Sequence, residues 1–109
     1  MNTLLLLAAL SSQITFDTTR DGDMYTITPQ VLLTENCLCQ VQILATRQGE
    51  GGQSRTQQRK TIQFIANQPT SLMRLSMSIE AQDSVDIVVT VTDGQSVNLS
   101  QRWTSQQTL

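Results

Sequence analysis

The chain of 109 residues contains no histidine and a single lysine, Lys60. Without imidazole there is no Ser-His-Asp or Cys-His activation of a nucleophile, and most catalytic zinc sites are excluded. Two cysteines cannot build a four-thiolate metal centre. We therefore expect neither a metal nor a cofactor. Charged residues make up only 15% of the chain and the net charge is −2, which argues against a nucleic-acid binder. No Gly-rich phosphate loop or nucleophile elbow is present. Long apolar runs are also missing. Residues 4–10 (LLLLAAL) are far shorter than the about 20 apolar residues a spanning helix needs, so the chain is not expected to cross a membrane.

That short run has the length of a signal h-region, and small residues follow it at Ser11 and Ser12. Residues 1–12 read as an export signal cleaved between Ala8 and Ser12, although its first residues carry no Lys or Arg. An exported chain enters an oxidising compartment, where a cysteine pair can form a disulfide. Residues 13–109 are then one domain.

Gln, Thr and Ser supply more than a third of the chain. Such a composition alone permits disorder, so periodicity decides. No window shows a convincing 3.6-residue period, whereas two-residue alternation is widespread. Residues 13–16 and 24–28 read as short strands, the latter stopped by Pro29, and 31–34 as a third. From Cys37 onward, Cys37, Cys39, Val41, Ile43 and Ala45 share one face of a long strand. Gly49, Gly51 and Gly52 mark a mobile loop. Residues 55–65 resume. Met73, Leu75, Met77 and Ile79 then share a face, as do Val85, Ile87, Val89 and Val91. Asp93-Gly94 is the best hairpin turn in the chain, and the return strand aligns Val97, Leu99 and Trp103. About seven such strands indicate an all-β fold, an antiparallel immunoglobulin-like β-sandwich, with a small closed barrel as the alternative.

Cys37-Leu38-Cys39 is the sharpest chemical feature. Residues two apart in a strand share a face, with Cα atoms about 6.6 Å apart at a rise of roughly 3.3 Å. Disulfides rarely exceed about 6.8 Å, so a Cys37–Cys39 bond needs the long limit or a local kink. It would close almost no loop and be a poor staple. A redox-active pair is one reading; two inert, core-facing thiols are the other. No histidine stands by to activate a thiolate, and Glu35 is the nearest charge.

Arg47, Arg55, Arg59 and Lys60 gather four of the seven cations around the Gly-rich segment. They are candidates for capturing an acidic partner; the plainer reading is a solvated hairpin. Asp17, Asp21 and Asp23 lack the spacing and the closing Glu of a calcium loop. Met73 and Met77 read as core rather than as a binding stripe, and Trp103 packs in the sandwich. The sequon Asn98-Leu99-Ser100 falls inside a strand.

The segments MNTLLLLAALSSQITF, NCLCQVQIL, ANQP and VVTVTDGQSVNLSQ together resemble the CsgC family of curli assembly proteins of enteric bacteria, over residues 1 to about 103. The resemblance implies a small periplasmic protein with an immunoglobulin-like sandwich. It implies a chaperone-like role in curli biogenesis, preventing premature amyloid polymerisation of the curli major subunit. The family's C-x-C falls on Cys37 and Cys39, and carries with it an alternative thiol–disulfide role on secretion components. A third possibility is an adaptor bound to the outer-membrane secretion channel. The resemblance names no enzyme; with no local activator, contact is favoured over catalysis.

Overall fold

The computed structural model describes residues 11–105. The apolar run at 4–10 and the tail at 106–109 lie outside the described residues, and with them most of the expected signal.

Eight strands follow one another: β1 (Gln13–Asp21), β2 (Met24–Leu32), β3 (Cys37–Gly49), β4 (Gly52–Phe64), β5 (Thr70–Ser71), β6 (Leu75–Ser78), β7 (Ser84–Thr92) and β8 (Asn98–Thr104). They form two four-stranded antiparallel sheets. One is β1-β2-β5 with β6 also paired to β2; the other is β4-β3-β7-β8. The open edges rule out the closed barrel as an alternative.

Alternation explains the layering. Cys37, Cys39, Val41 and Ile43 on β3 face inward with Val85, Ile87, Val89 and Val91 on β7, and meet Ile27 and Val31 of the other sheet. Their intervening neighbours turn outward, where the Gln, Thr and Ser excess sits. Phe64, fully buried, ends β4 beside Cys37. Across the layers, the rings of Tyr25 and Trp103 meet edge to face at 6.2 Å between centroids, and Arg20 lies over Tyr25 at 5.1 Å. Trp103 therefore packs between the sheets, as expected. Ser12 already belongs to the body, since its hydroxyl accepts the Thr34 N–H at 3.1 Å.

Three local expectations need correction. First, Pro29 does not stop a strand: β2 runs through it, and its ring is fully buried. A mid-sheet proline is costly where a neighbouring strand needs its N–H. Here Pro29 accepts a hydrogen bond from Leu72 N–H through its carbonyl at 2.8 Å, so its nitrogen faces that same side. That side is the break between β5 and β6, where no ladder bond is required.

Second, Met73 is not core. Gln30 pairs with Ser71 but Ile27 pairs with Leu75, so residues 72–74 carry one extra residue against β2. This bulge shifts the alternation by one. Leu72 takes the inward place before it, Leu75 and Met77 resume inward after it, and Met73 is left 44% exposed.

Third, the Gly-rich segment is a tight turn rather than an open loop. β3 and β4 stay in register to Gly49 opposite Gly52, leaving a two-residue turn, Glu50-Gly51. Gly52 has φ 117°, which other residues rarely adopt. Asp93-Gly94 does open the β7–β8 hairpin, as expected. Asp93 Oδ1 accepts the N–H groups of Gln95 and Val97, holding a wider loop before β8. Those donors, Gln95 first, hold the Asp93 carboxyl below its ordinary range.

Candidate functional site

The four candidate cations do not form one cluster. Register fixes the face of each, because partners across a ladder point the same way. Arg55 lies opposite Thr46, and Arg59 opposite Gln42, so both stand on the outer surface of the β4-β3-β7-β8 sheet. Lys60 lies opposite Val41 and points to the inner face. All three are exposed and form no ion pair with any described residue.

Arg47 has a different setting. It also points inward, at the far end of β3, between Ser54 and Val85. There its Nη2 donates to Asp83 Oδ2 at 2.9 Å. Asp83 is 5% exposed, and the same oxygen accepts Glu80 N–H at 2.9 Å. The backbone donor at Glu80, with Arg47 behind it, holds the Asp83 carboxyl below its ordinary range against the opposing effect of burial. Gly49 is part of the same arrangement: a Cβ there would collide with Asp83 Oδ1. Three features that looked separate in the sequence — a cation, a glycine and a carboxylate — close this end of the sandwich together. Sequence alternation signalled none of this, because Asp83 lies in a turn.

β4 is an edge strand, paired with β3 alone. Its inner-face residues Ser54, Thr56, Gln58 and Lys60 are all exposed, although the matching face of β3 is largely buried. The opposing sheet therefore does not cover β4 until Ile62 and Phe64. Between β4 and the β5–β6 bulge lies a cleft of about 470 Å³. Val41, Ile43, Ile62 and Leu72 supply its apolar surface, and Lys60 stands among the lining residues.

Cys37 and Cys39 are joined by a disulfide, with Cα atoms 5.4 Å apart. β3 is thus locally shortened, the kinked option of the sequence reading. The pair lies inside: Cys37 is 7% exposed and Cys39 is 0% exposed. Leu38 between them faces outward and is 65% exposed. Among the described residues no cluster of three or more Cys, Asp or Glu could hold a metal ion, and no helix is long and apolar enough to cross a membrane. Asp17, read with Asp21 and Asp23 as lacking a calcium loop's spacing, sits in the ladder opposite Thr28.

Comparison with known proteins places this geometry. Residues 5–103 match the family profile Tafi-CsgC, thin aggregative fimbriae synthesis protein. The chain is 64% identical over 103 residues to the curli assembly protein CsgC of Salmonella typhimurium strain LT2, covering 94% of this chain and 95% of that protein. It is equally similar, at 64%, to the curli assembly protein CsgC of Escherichia coli strain K12, covering 94% of each. The solved structure described as E. coli curli protein CsgC - SeCys superposes with a TM-score of 0.83 at 61% identity, covering 85% of this chain and 98% of that one. The solution structure of R. palustris CsgH superposes at 0.66 with 16% identity, over 84% of this chain and 89% of that one, a likeness of fold alone.

Proposed function

Since this chain belongs to the thin aggregative fimbriae synthesis protein family, we propose that it acts in curli assembly as a periplasmic, chaperone-like protein that keeps the curli major subunit from polymerising early. Export by residues 1–12 puts it where that subunit passes. The two sheets are read as an immunoglobulin-like sandwich, a rigid frame that offers edges to a partner. The outer-membrane secretion channel is a further candidate partner.

One observation carries the reading. β4 is a 13-residue edge strand with exposed cations on both faces. Amyloid grows by adding strands to open edges. An edge bearing Arg55, Arg59 and Lys60 resists pairing with a second copy of itself yet attracts acidic segments of another chain. Arg47 contributes less, because Asp83 already holds its charge. The contact is electrostatic and needs no bond to be made or broken.

Thiol–disulfide exchange on secretion components is the second reading, and the bonded Cys37–Cys39 pair is what favours it. Exchange requires a thiolate to reach a sulfur, and both sulfurs lie in the core. Burial supports the contact reading over this one.

The test is a thioflavin assay of purified curli subunit with substoichiometric amounts of this protein. The parent lengthens the lag, with or without reductant, and added salt weakens the effect. The triple variant Arg55→Glu, Arg59→Glu, Lys60→Glu no longer lengthens it. Full retention of the lag by that variant rules out the cationic edge; loss of the parent's effect on reduction revives the thiol reading.

A further inference from the structure

The two sides of the sandwich are not alike. On one side β1 lies against β8, and the layers close. On the other, β4 extends past the opposing sheet, whose edge consists of the short strands β5 and β6. Opposite the inner face of β4 there is room for one more strand, and the cleft lies there. Its lining is apolar at Ile62, Leu72 and the exposed Met73, over the buried Val41 and Ile43, while Arg59 and Lys60 are its charged lining residues, with no carboxylate among them. The outer backbone groups of β5 have no paired strand, since β5 pairs with β2 alone.

The geometry points to this cleft as a seat for one extended acidic peptide segment. It would pair with the free edge at β5 and the bulge, press alternate apolar side chains onto Ile62, Leu72 and Met73, and set a carboxylate against Lys60. Main-chain pairing supplies general affinity in such strand addition, and alternate side-chain pockets supply selectivity. The volume of about 470 Å³ lies within the roughly 300–1,000 Å³ range of small binding clefts. Charge decides among occupants. A second copy presenting β4 would bring like cations together, whereas an acidic strand is drawn in. The inner face of β4 reads accordingly: Ser54, Thr56 and Gln58 remain polar where no strand of this chain covers them. This inference refines the client-binding reading above, and rests on it only for the natural source of the segment.

The experiment uses the full chain and a nine-residue peptide alternating valine with serine and aspartate, followed by NMR. Amide shifts should gather at Ile62, Leu72 and Met73. Lys60→Glu should weaken binding about tenfold, as should Gln58→Trp, which fills the cleft from an exposed position. Arg102→Glu, the same charge change at the exposed opposite edge, should leave binding unchanged. A peptide with lysine in place of aspartate should bind at least tenfold more weakly. Shifts on the outer sheet surface overturn the assignment, as does undiminished binding by Gln58→Trp or no shift at millimolar peptide. Contacts from residues 1–10 or from a second copy in the free protein's cleft also overturn it. No curli subunit enters this experiment, so it judges the cleft, and the polymerisation assay judges the function.

Discussion

Replacing both cysteines by serine is the natural genetic test for a redox role, and the structure predicts that it will mislead. Cys37–Cys39 closes a loop of three residues. The chain-entropy relation assigns so small a loop about 1.6 kcal/mol. Reduction of the parent removes that contribution alone. The serine pair loses it too, and also places two hydroxyls at positions 7% and 0% exposed, among apolar neighbours. Burying a hydroxyl without a partner costs about 1–3 kcal/mol each in protein mutants. The serine variant should therefore fall about 2–6 kcal/mol below the reduced parent, a large share of the about 5–15 kcal/mol stability of a typical domain. Urea titration followed by fluorescence of the single tryptophan, Trp103, measures all three proteins, because that ring packs between the sheets. At about 4–8 °C per kcal/mol, the reduced parent should melt roughly 6–13 °C below the oxidised one. Equal stability of the serine pair and the reduced parent would refute the reasoning: it would mean that the hydroxyls find partners and that the pair is not dry. Loss of function in the serine variant counts for thiol chemistry only if the reduced parent, still folded, loses it as well.

Gly49→Ala should destabilise the protein by about 1–3 kcal/mol, since its Cβ displaces Asp83; Gly51→Ala, with open space around it, should stay within about 0.5 kcal/mol in the same urea titration. Asp83 and Asp93 both have folded pKa values below the ordinary carboxylate value. The unfolded chain therefore binds more protons at mildly acidic pH, so their stabilisation is present above the unfolded value and is lost as pH falls through the folded values. The urea midpoint should drop below about pH 5, and Asp83→Asn should lower it at neutral pH while flattening that acid drop; an unchanged acid slope in Asp83→Asn would refute the assignment.

Alternation made the two core strands legible before any coordinates. Val85, Ile87, Val89 and Val91 face inward as read, and so do Cys37, Cys39, Val41 and Ile43. A period of two survives wherever a strand is covered on one side. It fails where register changes. The extra residue at 72–74 moved Met73 off the face its spacing suggested. Pro29 misled for a related reason: whether a strand tolerates proline depends on a neighbour 43 positions away, Leu72, whose own strand has just ended. The cations were visible as residues but not as a site. Arg47 and Lys60 turn inward and Arg55 and Arg59 outward, and that division follows from pairing with β3 rather than from nearness in sequence. Asp83, the partner of Arg47, gave no periodic signal at all.

Pro29 has a consequence for the molecule's own fate. A protein that meets fibril-forming neighbours runs the risk of being enlisted by them. One edge open to that risk is the one beside β2, where a long, flat strand would offer a row of unmet donors and acceptors. Pro29 withholds one donor in mid-strand, and the chain opposite it breaks into pieces of two and four residues. Together with the bulge at 72–74, the proline keeps that edge in fragments, a poor rail for a fibril to run along.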